Sequence, residues 1–285
     1  LRGSAFAVTL IKKGGVMRMH LIAAFAALSL SPAFAQSMIP PPLPPGITVP
    51  DWALPGSPTH KQIAPPKDFH RDPVTFNKTV GQFENSTDVG GPLVPSSASY
   101  DAPSKTYNIT AGGYNIWYQR DEFHFLWNRM SGDVSLAASV EWPNMDDFHD
   151  RKVALVIRDS LDDDSRTIVA AQHGNGMLHI AWRGEKTGNM TDISHRSARQ
   201  PAPGTAERGP QAIHPSRFGI EKKGDQFQLW VSWQGEPIHP EGAPVTFKTS
   251  GPFYVGLGFT SHLPANLLTA KVRDVVVENR AGRIR

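Results

Sequence analysis

His124, Arg158, His173 and Arg183 lie on strand-like stretches with apolar neighbours in the middle of the chain. These residue types do chemistry that packing does not require. A guanidinium offers a planar fork of donors that suits carboxylates and paired hydroxyls. Imidazole accepts or donates near neutral pH. Trp117, Tyr118 and Trp127 add flat aromatic faces on which a sugar ring could rest. If the strands share one sheet, Trp117, Tyr118, His124, Arg158, Asp159, His173 and Arg183 would converge on its open, concave face. Sites of that kind mix apolar walls with a few polar groups. Plainer readings stand beside these. Arg158 could simply pair with Asp159 or another acid, and His173 could cap the Gly174-Asn175-Gly176 turn. Trp127 shares parity with Phe123 and Phe125 and so favours the core. His124, between those two phenylalanines, should then point away from the core face they define.

Catalytic and metal motifs are lacking. There is no cysteine, which excludes disulfides, thiolate ligands and thiol nucleophiles. No Gly-x-Ser-x-Gly elbow appears. Gly256-Leu257-Gly258 lies inside an apolar run with no helix after it, unlike a nucleotide loop. No His-x-x-x-His or Asp-x-Asp-x-Asp-Gly pattern supports zinc or an EF-hand. The expectation is no catalytic residue, no metal ligand set and no cofactor. A structural calcium held by backbone carbonyls and acidic loops stays compatible with the sequence.

The elements that would position these side chains are short strands. Residues 123–130 alternate, and residues 134–142 alternate more clearly, with Val134, Leu136, Ala138 and Val140 on one side. In residues 152–159, Val153, Leu155 and Ile157 oppose Ala154, Val156 and Arg158. Further strands are expected at 80–84, 99–101, 107–110, 114–118, 165–173, 177–183, 191–195, 217–221, 226–233, 244–249, 253–260 and 270–278. Residues 85–97 read as turn-rich. Gly and Pro number 25 each, which favours turns over helices. The expected fold is all-β, a jelly-roll sandwich of two antiparallel sheets.

Residues 17–36 carry Arg18, an apolar run over 21–30 and Ala33-Phe34-Ala35, the layout of a cleavable signal peptide ending near Ala35. The apolar run is too short for a membrane span, which needs about 20 residues. Residues 1–35 are therefore expected to be an over-extended start plus leader, with Met17 or Met19 as the true start. Residues 36–75 form a Pro-rich extended lead, and 76–285 the sandwich domain. Removing residues 1–35 takes away Arg2, Lys12, Lys13 and Arg18 and no acid, so a formal net charge of +3 becomes −1. Nucleic acid loses its support as a partner. The mature chain is expected to be periplasmic or secreted, without a membrane span.

Four blocks carry a resemblance: YNIWYQRDEFHFLWNRMSGDVSLAASV, DRKVALVIRDSLDDDS, AAQHGNGMLHIAWR and GPFYVGLGFTSH. Over residues 76–279 the chain resembles a bacterial family of concanavalin A-like domains of unknown function, of the "regulation of enolase" type. It is also similar to the N-terminal module preceding TolB-like β-propellers in exported proteins. The resemblance implies a jelly roll of two antiparallel sheets and, by analogy with lectins and glucanases of that fold, sugar binding. Glucanases of the laminarinase type carry Glu-x-Asp-x-x-Glu on one strand, and this chain has no such motif. In EWPNMDD (141–147) the spacing differs and Pro143 interrupts it; Asp162-Asp163-Asp164 reads as a turn. The leading expectation is a non-catalytic module binding a glycan or another polar cell-envelope ligand on its concave face. The alternatives are a carbohydrate-active enzyme, or an assembly module that docks an envelope protein.

Overall fold

The computed structural model describes residues 71–195, 197 and 213–284. The expected leader, nearly all of the Pro-rich lead and most of the polar loop after residue 195 lie outside them. Among the described residues there is no helix, and none long and apolar enough to cross a membrane.

Two antiparallel sheets make a jelly-roll sandwich. The larger has eight strands in the order β1 (Val74–Thr75), β2 (Asn85–Val89), β7 (Phe123–Met130), β16 (Phe253–Thr260), β9 (Lys152–Arg158), β10 (Thr167–His173), β11 (Leu178–Arg183) and β12 (Thr191–His195). The smaller has seven, in the order β15 (His239–Thr246), β14 (Gln226–Ser232), β13 (Arg217–Lys223), β8 (Val134–Glu141), β17 (Leu268–Glu278), β4 (Thr106–Ala111) and β3 (Ser97–Asp101). A short hairpin, β5 (Ile116–Trp117) and β6 (Arg120–Asp121), stands apart from both.

Alternation explains the core. Val134, Leu136 and Ala138 of β8 face Val153, Leu155 and Ile157 of β9 across the sandwich, joined by Phe218, Ile220, Val255 and Leu257. Burying such side chains contributes roughly 1.5–3 kcal/mol each. The strands over 123–130, 191–195 and 253–260 have the expected bounds. The expectation at 80–84 fails. Val80 and Phe83 only bridge each other, and the strand is β2, inside the stretch read as turn-rich. Its polar sequence NSTDV is held by pairing with β7 rather than by apolar alternation.

The parity of β7 needs a correction. Leu126 faces the inter-sheet core, whereas Phe123 and Phe125 belong to a second apolar cluster with Val89, Ala154, Val156 and Ile116. That cluster lies on the opposite, outer face of the eight-stranded sheet. The outer face is apolar because the β5–β6 hairpin and neighbouring loops cover it, supplying Ile116 and Leu161. Two buried faces defeat an argument that assumes one. Gly256 and Gly258 keep this arrangement tight. A Cβ on Gly256 would collide with the Leu126 carbonyl oxygen, and one on Gly258 would meet the Phe123 ring at 2.8 Å.

Candidate ligand pocket on the outer face

The β5–β6 hairpin is anchored by a buried charge cluster. Arg183 donates from Nη1 to Asp121 Oδ2 at 2.9 Å and from Nη2 to Oδ1 at 2.7 Å. It also donates to the carbonyls of Trp117 (3.2 Å), Tyr118 (3.1 Å) and Ser165 (2.9 Å). Arg158 Nη1 lies 3.4 Å from Asp121 Oδ2. Its Nε donates to Ser160 O at 2.6 Å, and Nη2 to Asp162 O. Burial pulls the Arg158 pKa down to about 10, with Asp121 opposing. All three side chains are fully buried. Arg158 and Arg183 were expected to present free forks to a ligand. Instead their donors turn inward, onto Asp121 and loop carbonyls, so they position the hairpin.

This anchoring has a local consequence. Tyr118 adopts a φ of +49° at the hairpin tip, a conformation an L-residue seldom takes without external support. Arg183 supplies that support by holding the Trp117 and Tyr118 carbonyls. The side chains of Trp117 and Tyr118 then enter a cavity of about 190 Å³ at one end of the outer face.

The sheet contributes the cavity floor. Lys152 of β9 lies opposite His173 of β10, and His179 of β11 lies two residues along on the same face, opposite Ala171. All three share the cavity with Asp150 and Asp192. The His179 ring stacks on Trp117 at 5.5 Å and 7°, and meets His173 edge-on at 4.9 Å. Asp192 Oδ2 is 3.9 Å from His179 Nδ1, and Asp150 Oδ1 is 4.0 Å from His173 Nδ1. Burial, with the Lys152 charge behind it, holds the His179 pKa well below the usual range, so the ring is neutral at physiological pH. His262, at a φ of +67°, also lines the cavity. Among the described residues no group of three or more His, Asp or Glu could hold a metal ion.

Three of the seven expected residues therefore meet here: Trp117, Tyr118 and His173. His124 does not. It shares the inward parity of Leu126, and its Nδ1 lies 2.7 Å from Asp88 Oδ1, both side chains nearly inaccessible. Asp159 pairs with Arg166 at 3.3 Å and accepts from the Ser250 amide. The expectation missed Lys152, His179, Asp150 and Asp192. The signal was available for two of them. Lys152 shares the outward parity of Ala154 and Val156, and His179 that of Ala181 and Arg183.

No family model matches the chain, and no curated protein matches it. Solved structures do. A functionally unknown protein from Saccharomyces cerevisiae is 14% identical, with a TM-score of 0.46, covering 66% of this chain and 95% of the other. The carbohydrate-binding module CBM66 from Bacillus subtilis is 13% identical, with a TM-score of 0.42, covering 69% and 97%. An alginate lyase from Klebsiella pneumoniae is 12% identical, with a TM-score of 0.41, covering 65% and 85%.

Proposed function

We propose that this chain is an exported, non-catalytic sugar-binding module whose ligand enters the pocket beneath the β5–β6 hairpin. The observation that carries this reading is the pocket's composition. An indole held by a buried ion-pair cluster stands over a floor of one ammonium, two imidazoles and two carboxylates. Hydroxyl groups pair with such a mixture of donors and acceptors, while the aromatic wall packs against C–H faces. At about 190 Å³ the cavity is smaller than the ~300 Å³ lower bound for drug-sized ligand sites. It suits one sugar ring or the end of a chain. The narrower kinship with the "regulation of enolase" type and with TolB-associated modules is part of this proposal, as is export through a leader ending near Ala35.

A carbohydrate-active enzyme is the second reading. Asp150 and Asp192 line the same cavity, and glycoside hydrolysis uses a carboxyl pair across the scissile bond. The docking alternative has less behind it. Among the described residues the exposed large apolar side chains are Val74 and Phe76 at and just after β1, Tyr100 on β3 and Ile193 on β12, a pair and two single residues on separate strands rather than one broad patch.

The test is a glycan array combined with a thermal-shift screen of residues 36–285. A saccharide that binds and is recovered unchanged supports the module. Cleavage of the bound glycan supports the enzyme. No response to any saccharide sinks both.

A further inference from the structure

Lys152 is placed unlike the other lysines of the described chain. It lies on the outer face of the central strand β9, between Thr260 of β16 and His173 of β10 in the ladder. It is 2% exposed, yet it lines the cavity. A buried ammonium ordinarily pairs with a carboxylate. This one has no hydrogen bond or ion pair among the described residues. Its direct partner is the Trp117 ring, whose centroid lies 5.5 Å from Nζ. Asp150, Asp121 and Asp192 act on it only at longer range, and burial outweighs them, drawing its pKa down to about 8. The amine lone pair is therefore within reach at neutral pH, in a cavity that admits a small molecule. His179 beside it is neutral and holds no charge against an incoming carbonyl.

We propose that Lys152 is a nucleophilic lysine that forms a reversible imine with a small aldehyde or ketone in this pocket. The open-chain carbonyl of a reducing sugar is the member of that class that suits a sugar site. The inference rests on the reading of the pocket as a ligand site. In the reaction the Nζ lone pair bonds to the carbonyl carbon, and the carbonyl oxygen takes a proton to give a carbinolamine. The nitrogen gives up its two protons, one as the carbinolamine forms and one as it collapses, the hydroxyl takes a second proton and leaves as water, and a C=N bond forms. The balance is amine plus carbonyl to imine plus water, with no oxidant or reductant. Asp150, Asp192 and water can carry the protons.

The test uses the whole chain with glycolaldehyde and cyanoborohydride, followed by peptide mass spectrometry. A pKa of about 8 leaves roughly a tenth of the amine unprotonated at pH 7. An ordinary lysine near 10.4 has well under ~0.1% in that form. The expected result is a reduced adduct at Lys152 that forms ~10-fold faster than at the exposed Lys105, Lys223 and Lys248, allowing for the lower intrinsic nucleophilicity of a weaker base. The preference should shrink as pH rises towards 10, where every lysine deprotonates. Lys152→Arg should remove that adduct and leave the others. Labelling of Lys152 no faster than of the exposed lysines overturns the proposal, and this readout needs only the wild-type chain. A reducing saccharide that binds yet leaves no trapped adduct at Lys152 overturns the imine while the binding reading stands. An adduct without binding of any saccharide supports the imine and overturns the sugar site.

Discussion

Arg183 and Asp121, 62 residues apart in sequence, form a bidentate ion pair with neither side chain exposed. The pair joins β11 to the separate β5–β6 hairpin and so decides where Trp117 and Tyr118 go. Isolated two-stranded hairpins are marginal in water. This one has only two residues per strand. Its position is set by the guanidinium beneath it, which reaches the carbonyls of Trp117 and Tyr118 while paired to Asp121. The cavity exists because of a charge cluster outside it.

Removing one member of the cluster should cost more than a surface substitution, and the two members should differ. Arg183→Met leaves Asp121 with Arg158 at 3.4 Å, a partial replacement. Asp121→Ala leaves two buried guanidiniums facing each other with no acid between them. Breaking a buried pair from one side costs about 3–5 kcal/mol. Asp121→Ala is expected at or above the top of that range and Arg183→Met towards the bottom, measured by urea unfolding. Losses under ~1 kcal/mol for both would show that the cluster does not hold the hairpin.

Gly256 and Gly258 make a second, graded pair. Alanine at 258 would place its methyl 2.8 Å from the Phe123 ring and 3.0 Å from Val156 Cγ2. Side chains can yield, so Gly258→Ala should cost about 1–3 kcal/mol, the usual range for overpacking. At 256 the obstacle is the Leu126 carbonyl oxygen, a backbone atom within the β7–β16 ladder. Gly256→Ala should therefore be the more damaging of the two in thermal unfolding. The reverse order would contradict the packing of β16 against β7.

Much of the sandwich was legible because strands such as 134–142 alternate cleanly and their inward residues need no long-range information. The site was legible only in part, and the reasons are specific. His124 was misplaced because Phe123 and Phe125 were assumed to mark the sole core face. The hairpin that makes the other face apolar as well is a tertiary feature with no local signal. His124 and Arg158 stood out as residues that packing did not explain, and Arg158 and Arg183 as candidate ligand forks; both arginines are in fact engaged by a buried acid. Their partner, Asp121, sits in neither of their strands, so a structural role could not be told from a binding role. Lys152 and His179 lay at outward parity in plain view, but nothing in one strand reveals that three strands bring them together.

Glu122, next to Asp121, gives a pH signature. Burial raises its carboxyl from 4.5 to about 8, and Arg71, 3.8 Å away, does not reverse this. The folded state thus holds a proton that the unfolded chain has released between those values. Stability from this group is fully present below about 4.5 and is lost as pH rises through about 8. Glu122→Gln should abolish that slope. Relative to wild type it should be more stable at pH 9 by a few kcal/mol, an order-of-magnitude figure from ~1.4 kcal/mol per pH unit. Urea midpoints for the two proteins at pH 5, 7 and 9 check this. Parallel curves would mean that Glu122 is ionised in the folded protein at neutral pH.

Two tryptophans on the same face separate binding from packing. Trp117 lines the cavity and stacks on His179. Trp127 lies on the same outer face, where it donates to Thr87 Oγ1 at 2.9 Å and meets Tyr254 edge-on. If the pocket is the sugar site, Trp117→Ala should weaken saccharide affinity by at least ~10-fold, about 1.4 kcal/mol. Trp127→Ala should leave affinity within about twofold, although losing its packing lowers the melting temperature. Calorimetric titration of each variant decides the matter. Because the Lys152 ammonium lines the floor and its proton leaves near pH 8, wild-type affinity for a non-reducing saccharide should also fall between pH 7 and 9. A site elsewhere on the sandwich predicts the opposite pattern: Trp117→Ala would bind normally, and affinity would not follow Lys152.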